Sequence, residues 1–69
     1  MILTMQITIN GNKREISNGT TARQLLRMLN LKGPLALEIN RIICPKNRHE
    51  QTLLKNGDVL EIVTIVGGG

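Results

Sequence analysis

The chain contains no Phe, Tyr or Trp. Its core must therefore be built from Ile, Leu, Val and Met. The absence also weighs against single-strand nucleic-acid readers, which stack bases on aromatic platforms. With a single cysteine, Cys44, the chain cannot form an internal disulfide. A site that needs several thiolates from one chain, such as an iron–sulfur cluster, is excluded with it. No apolar run approaches the roughly 18 residues of a membrane-spanning helix. Met1-Ile2-Leu3 lacks the charged start and the length of a signal peptide. These absences lead us to expect a cytoplasmic protein without a membrane partner. Long charge runs are missing too: nine Lys and Arg against five Asp and Glu give +4, but they are scattered. A basic balance favours acidic partners, yet without a run of five or six like charges it reads as a solvated surface. No nucleic-acid partner is expected.

At 69 residues the chain is one domain. A domain this small buries only about 60% of the surface its unfolded chain exposes. That leaves little room for a walled active-site cleft, so a binding module or carrier is favoured over an isolated enzyme.

The first segment alternates, with Leu3, Met5, Ile7 and Ile9 on one side and Thr4, Gln6 and Thr8 on the other. Period two with β-branched residues predicts a half-buried strand. Asn10-Gly11-Asn12 is a hairpin signal, because Asn and Gly tolerate positive φ. A return strand over Lys13–Ile16 and a turn at Asn18-Gly19 follow. Thr21 with Gln24 fits a capping box. Ala22, Leu25, Leu26 and Leu29 then form one apolar helical stripe, which Gly33-Pro34 is expected to stop. Leu35, Leu37 and Ile39 predict a third strand, and Asn40-Arg41 a turn. Ile42–Cys44 predicts a short edge strand ended by Pro45. Lys46–Leu54 is polar and ambiguous, a loop with a helical turn. Asn56-Gly57-Asp58 is a second strong turn. Val59–Val66 is almost continuously aliphatic, which predicts a central strand with both faces covered or partly covered. The order ββαββ, then β, gives an α+β layer arrangement. One helix covers a small mixed sheet whose first and last strands lie side by side.

Residues 1–66 are thus expected to form the single domain, and Gly67, Gly68 and Gly69 a tail outside it. Terminal glycines are ordinarily a frayed end. These follow a strong core strand directly, with no tag or protease site beside them. Lacking Cβ atoms, glycines enter a channel too narrow for any side chain. Fully extended, three of them reach roughly 10 Å beyond the folded body. The last carbonyl is unhindered, which suits a carboxylate that attacks a nucleotide phosphate and is then attacked itself. The cost is ordering a loose tail, which contacts between a partner and the folded body would offset.

The strand with its Asn-Gly turn, Thr21-x-x-Gln24-Leu25-Leu26, Glu38-Ile39-Asn40-Arg41, Asn56-Gly57-Asp58 and the ending Glu61–Gly69 together resemble the ThiS family. Those proteins are small ubiquitin-like sulfur carriers of thiazole formation in thiamine biosynthesis. The resemblance runs from about Met5 to the end, and Met5 itself is a candidate initiator. It implies a β-grasp (ubiquitin-like) fold and a carrier that is not itself an enzyme. An E1-like adenylyltransferase, using ATP, would convert the Gly69 carboxylate to an acyl-adenylate. Sulfur from a donor such as a cysteine desulfurase would displace AMP to leave a thiocarboxylate, and thiazole synthase would take that sulfur. No cofactor would be held stably. Gly67 and Gly68 would thread the partner's channel. Ile65 and Val66 are placed as partner contacts by position alone, against the usual burial of apolar strand residues.

Other readings stand beside this one. Molybdopterin-synthase carriers and tRNA-thiolation modifiers also end in Gly-Gly on a ubiquitin-like body, but Ile65-Val66 before three glycines favours the thiazole branch. A β-grasp RNA- or nucleotide-binding module has only the basic charge in its favour. A plain interaction domain would need no free glycine terminus. Cys44, in an apolar strand, reads as packing. His49, in a polar loop without a second ligand at metal spacing, is not a metal site. Arg23 and Arg27 read as a solvated helix face.

Overall fold

The computed structural model describes residues 3–31 and 33–65. Strands β1 (Thr4–Ile9) and β2 (Asn12–Ser17) precede helix α1 (Ala22–Met28). Strands β3 (Leu35–Ile39) and β4 (Ile42–Ile43), a 3₁₀ turn over Lys46–Arg48, and β5 (Val59–Thr64) follow it. The five strands form one mixed sheet in the order β2-β1-β5-β3-β4. Strand β5 runs parallel to β1 and antiparallel to β3, so the first and last strands are neighbours as expected. The architecture is the β-grasp arrangement: one helix across one face of a five-stranded mixed sheet.

Local chemistry explains the elements. In the β1–β2 loop Asn10 and Gly11 have φ of 49° and 83°. That is the mirror-image turn whose twist matches a two-residue hairpin. Asn40 and Arg41 close β3–β4 in the same way, with φ of 52° and 68°. At the start of α1 the capping box is complete. Gln24 N–H donates to Thr21 Oγ1 at 3.2 Å, and Thr21 N–H donates to Gln24 Oε1 at 2.9 Å. The next two orphan donors of the helix are met from outside: Ala22 N–H by the Thr52 carbonyl and Arg23 N–H by the His49 carbonyl.

One layer holds the core. Met5, Ile7 and Ile16 come from the first hairpin, Ala22, Leu25 and Leu26 from the helix, Leu37 from β3, and Leu60 and Ile62 from β5, with Leu54 closing one end.

The structure corrects five expectations. Leu3 is 68% exposed, because the alternation begins to bury side chains only at Met5. The return strand spans Asn12–Ser17, one residue longer at each end. The helix ends well before Gly33-Pro34: Leu29 is its C-cap, and Asn30, at φ 55°, takes the left-handed position reserved for Gly33. Asn is the usual substitute for Gly there. The edge strand is assigned only over Ile42–Ile43, although Cys44 N–H still donates to the Leu37 carbonyl at 2.8 Å. Lastly, β5 is central but covered on one face only. Leu60 and Ile62 are buried, whereas Val59 and Val63 are 46% and 61% exposed on the other side.

Candidate functional site

Of the site residues singled out from the sequence, Ile65 lies where β5 leaves the sheet. Strand β5 ends at Thr64, opposite Leu35 of β3. One more hydrogen bond holds the chain beyond it, from Ile65 N–H to the Pro34 carbonyl at 2.9 Å. Ile65 is 54% exposed there. It is a surface residue at the exit of the strand, not part of the core. Val66, Gly67, Gly68 and Gly69 lie outside the described residues.

The exit point is fixed by side chains far away in sequence. Asn10 sits just past the end of β1: its N–H still donates to the Leu60 carbonyl of β5 at 2.9 Å, and beyond it the left-handed backbone turns the chain away. Its side-chain amide replaces the missing peptide: Nδ2–H donates to the Ile62 carbonyl at 3.0 Å, and Oδ1 accepts from Ile62 N–H at 2.7 Å. Asn40 does the same on the other flank, where its Oδ1 accepts from Val59 N–H and its Nδ2–H donates to Asp58 Oδ1, both at 2.9 Å. The other Asp58 oxygen accepts from Lys55 N–H at 2.8 Å, closing the turn before β5. Asn56 Oδ1 accepts from Gln6 N–H, tying that turn to β1. Strand β5 is thereby clamped at its start and along its length, and its end is aimed by the sheet. Sequence reasoning took the asparagines as turn formers only. The signal available was their place at the first turn position, where the side chain has no core to enter.

The remaining candidates have structural roles. His49 is buried, and its Nε2–H donates to the Cys44 carbonyl at 2.9 Å. It is a packed residue of the 46–54 segment, not an occupant of a polar loop. Cys44 is half-buried against the core, with Sγ 3.6 Å from Thr52 Oγ1. Since the Thr52 hydroxyl proton goes to the Arg48 carbonyl at 2.7 Å, the thiol is the donor of that contact. Arg23 pairs with Glu50 at 3.2 Å, both ends exposed, which contributes little to stability. Among the described residues no three His, Cys, Asp or Glu side chains are placed to hold a metal ion. Among them, too, no helix is long and apolar enough to cross a membrane.

On the open face of the sheet the register brings two carboxylates together. Glu38 of β3 lies directly opposite Glu61 of β5, with Ile43 of β4 next in the row. A groove of about 570 Å³ runs beside them, lined by Glu38, Asn40, Arg41, Val59 and Glu61. Sequence reasoning assigned these glutamates no role. The signal was two charged residues within otherwise aliphatic strands.

A one-helix β-grasp body whose central last strand delivers a run of glycines defines the class of small ubiquitin-like carrier proteins. Residues 7–69 match the model of the ThiS family, and the chain belongs to that family. The sulfur carrier protein ThiS of Escherichia coli (strain K12) is 30% identical over 66 residues, covering 94% of this chain and all of that one. A thiazole synthase of Paramagnetospirillum magneticum is 39% identical over 66 residues; this chain spans only 20% of that protein's length. The crystal structure of the thiamine biosynthesis protein ThiS from Geobacter metallireducens superposes with a TM-score of 0.81 at 25% identity. That match covers 94% of this chain and all of that one.

Proposed function

We propose that this chain carries sulfur for thiazole formation in thiamine biosynthesis, as a thiocarboxylate on Gly69. The observation that carries the reading is the glycine run that follows the clamped central strand in the sequence, in a chain of the ThiS family. An adenylyltransferase consumes ATP and joins AMP to the Gly69 carboxylate, releasing pyrophosphate. The persulfide of a donor such as a cysteine desulfurase then displaces AMP to give an acyl disulfide. A second thiol cleaves its S–S bond to leave the thiocarboxylate and a disulfide, and thiazole synthase withdraws the sulfur. The chain contributes a reactive end and a docking body. Acid–base groups and ATP binding belong to its partners, which is why a body of this size suffices. The P. magneticum relative, a thiazole synthase that contains a stretch like this chain, supports thiazole synthase as the sulfur's destination.

Incubation with ATP, the adenylyltransferase and a sulfur source, followed by intact-protein mass spectrometry, tests the reading. One oxygen should be replaced by sulfur, and only in the C-terminal peptide. Deleting Gly69 should abolish the exchange and leave thermal stability unchanged, because the hydrophobic core is built from residues between Met5 and Ile62. An unmodified wild-type chain beside a demonstrably active adenylyltransferase would refute the proposal.

A further inference from the structure

Strand β5 reads in sequence as a strand with both faces covered or partly covered, yet its buried side chains, Leu60 and Ile62, lie on one face. The open side carries Val59 and Val63, with Ile43 in the same layer on β4, and it continues to Ile65 at the exit; all four are between 46% and 61% exposed. At the centre of these apolar residues stand Glu38 and Glu61, directly opposite each other. Like charges in that position destabilise a sheet. Neither has a bonded partner among the described residues, and Arg41, on the same groove, makes no ion pair with either.

The charge distribution sharpens the point. The whole chain carries +4, but three of its five acidic residues, Glu15, Glu38 and Glu61, project from this one face. The other two are engaged elsewhere, Asp58 in the turn before β5 and Glu50 with Arg23. An acidic centre ringed by aliphatic side chains complements an apolar surface bearing a guanidinium or ammonium group. Covering it with an uncharged surface would bury two unpaired carboxylates, at heavy cost.

We propose that this face is the docking surface for thiazole synthase, and that an Arg or Lys of that enzyme enters between Glu38 and Glu61. Thiazole synthase is the occupant for two reasons. The face is continuous with the strand exit, so the enzyme that accepts the tail abuts it. The P. magneticum thiazole synthase also contains a stretch like this chain within its own length. The inference rests on the carrier reading for its choice of partner, and the glutamate pair gives that contact its chemistry.

The test uses the full-length, unmodified chain and thiazole synthase from the same organism, with affinity measured at low and high salt. Glu38→Gln with Glu61→Gln keeps side-chain shape and removes both charges. The double variant should bind about tenfold or more weakly and lose most of its salt dependence. Its thermal midpoint should stay level or rise, since a repulsive pair has gone, and this separates docking from folding. Arg23→Gln, on the helix side, should bind as the wild type does. Undiminished binding by the double variant would overturn the proposal. So would a loss seen only with the adenylyltransferase, or only in self-association followed by sedimentation. The carrier reading fails separately: if Gly69 never gains sulfur but docking keeps this charge dependence, the tail chemistry is wrong and the surface stands.

Discussion

At the scale of single residues, the asparagines carry more of this fold than any charged group does. Asn10 occupies a left-handed conformation that an L-residue adopts at a cost of roughly 1–2 kcal/mol. It also makes both side-chain bonds that prolong the β1–β5 pairing. Asn10→Ala retains the conformational cost and removes both bonds, leaving the Ile62 peptide without its partner. We expect a loss of about 2–3 kcal/mol. Asn10→Gly loses the same bonds but regains the backbone cost, for a net loss of about 1 kcal/mol. Urea denaturation of the three proteins separates the two contributions. Equal stability of the alanine variant and the wild type would mean that the amide bonds add nothing. Position 10 announces its turn through the Asn-Gly pair. Its bond to Ile62, 52 residues away, has no local signature, because it exists only once β5 lies beside β1.

At the scale of elements, α1 is the vulnerable one. Seven residues are too few to be stable as an isolated helix. It persists because its apolar stripe is buried and its first-turn donors are satisfied. Thr21→Ala removes the cap oxygen and should cost about 1 kcal/mol. Calorimetry or urea denaturation would measure it, and a loss under a few tenths would show that the Thr52 and His49 carbonyls suffice to hold the helix start. The capping box, the stripe, both Asn-led hairpin turns and the central place of β5 were legible because each is written in residues close together in sequence. The end of the helix was not. Asn30 and Gly33 both adopt left-handed backbone, and only the path of the chain toward β3 makes Asn30 the helix stop. Nor was the buried state of His49, whose neighbours Lys46, Asn47, Arg48 and Glu50 are all exposed. The open face of β5 was hidden for another reason. An aliphatic strand looks the same whether its second face is covered by its own chain or left exposed, and only the fold's single helix settles which. Of the candidate site, the glycine run was legible from composition alone. The Glu38–Glu61 pair required the β3–β5 register.

At the scale of the whole molecule, two antiparallel hairpins, β1–β2 and β3–β4, share no ladder with each other. Strand β5 lies between them and is the element that joins them into one sheet. Leu60 is its buried centre: fully inaccessible, paired with Ile9 on one side and Ile39 on the other. Its carbonyl accepts Asn10 N–H at 2.9 Å. Leu60→Ala leaves a cavity where both hairpins meet the helix layer, at about 3–4 kcal/mol. Total stability for a chain of this length is only roughly 3–10 kcal/mol, so the unfolded fraction should rise by some two to three orders of magnitude. Val63→Ala, on the open side of the same strand, should change stability by less than about 0.5 kcal/mol. Denaturation midpoints and amide exchange across β1, β3 and β5 distinguish the two variants. In Leu60→Ala, protection should fall in both hairpins together, since their common strand has been weakened. If only β5 lost protection, the hairpins would be holding to the helix without it. The sheet would then not be the rod that aims the tail, and sulfur loading would survive the substitution.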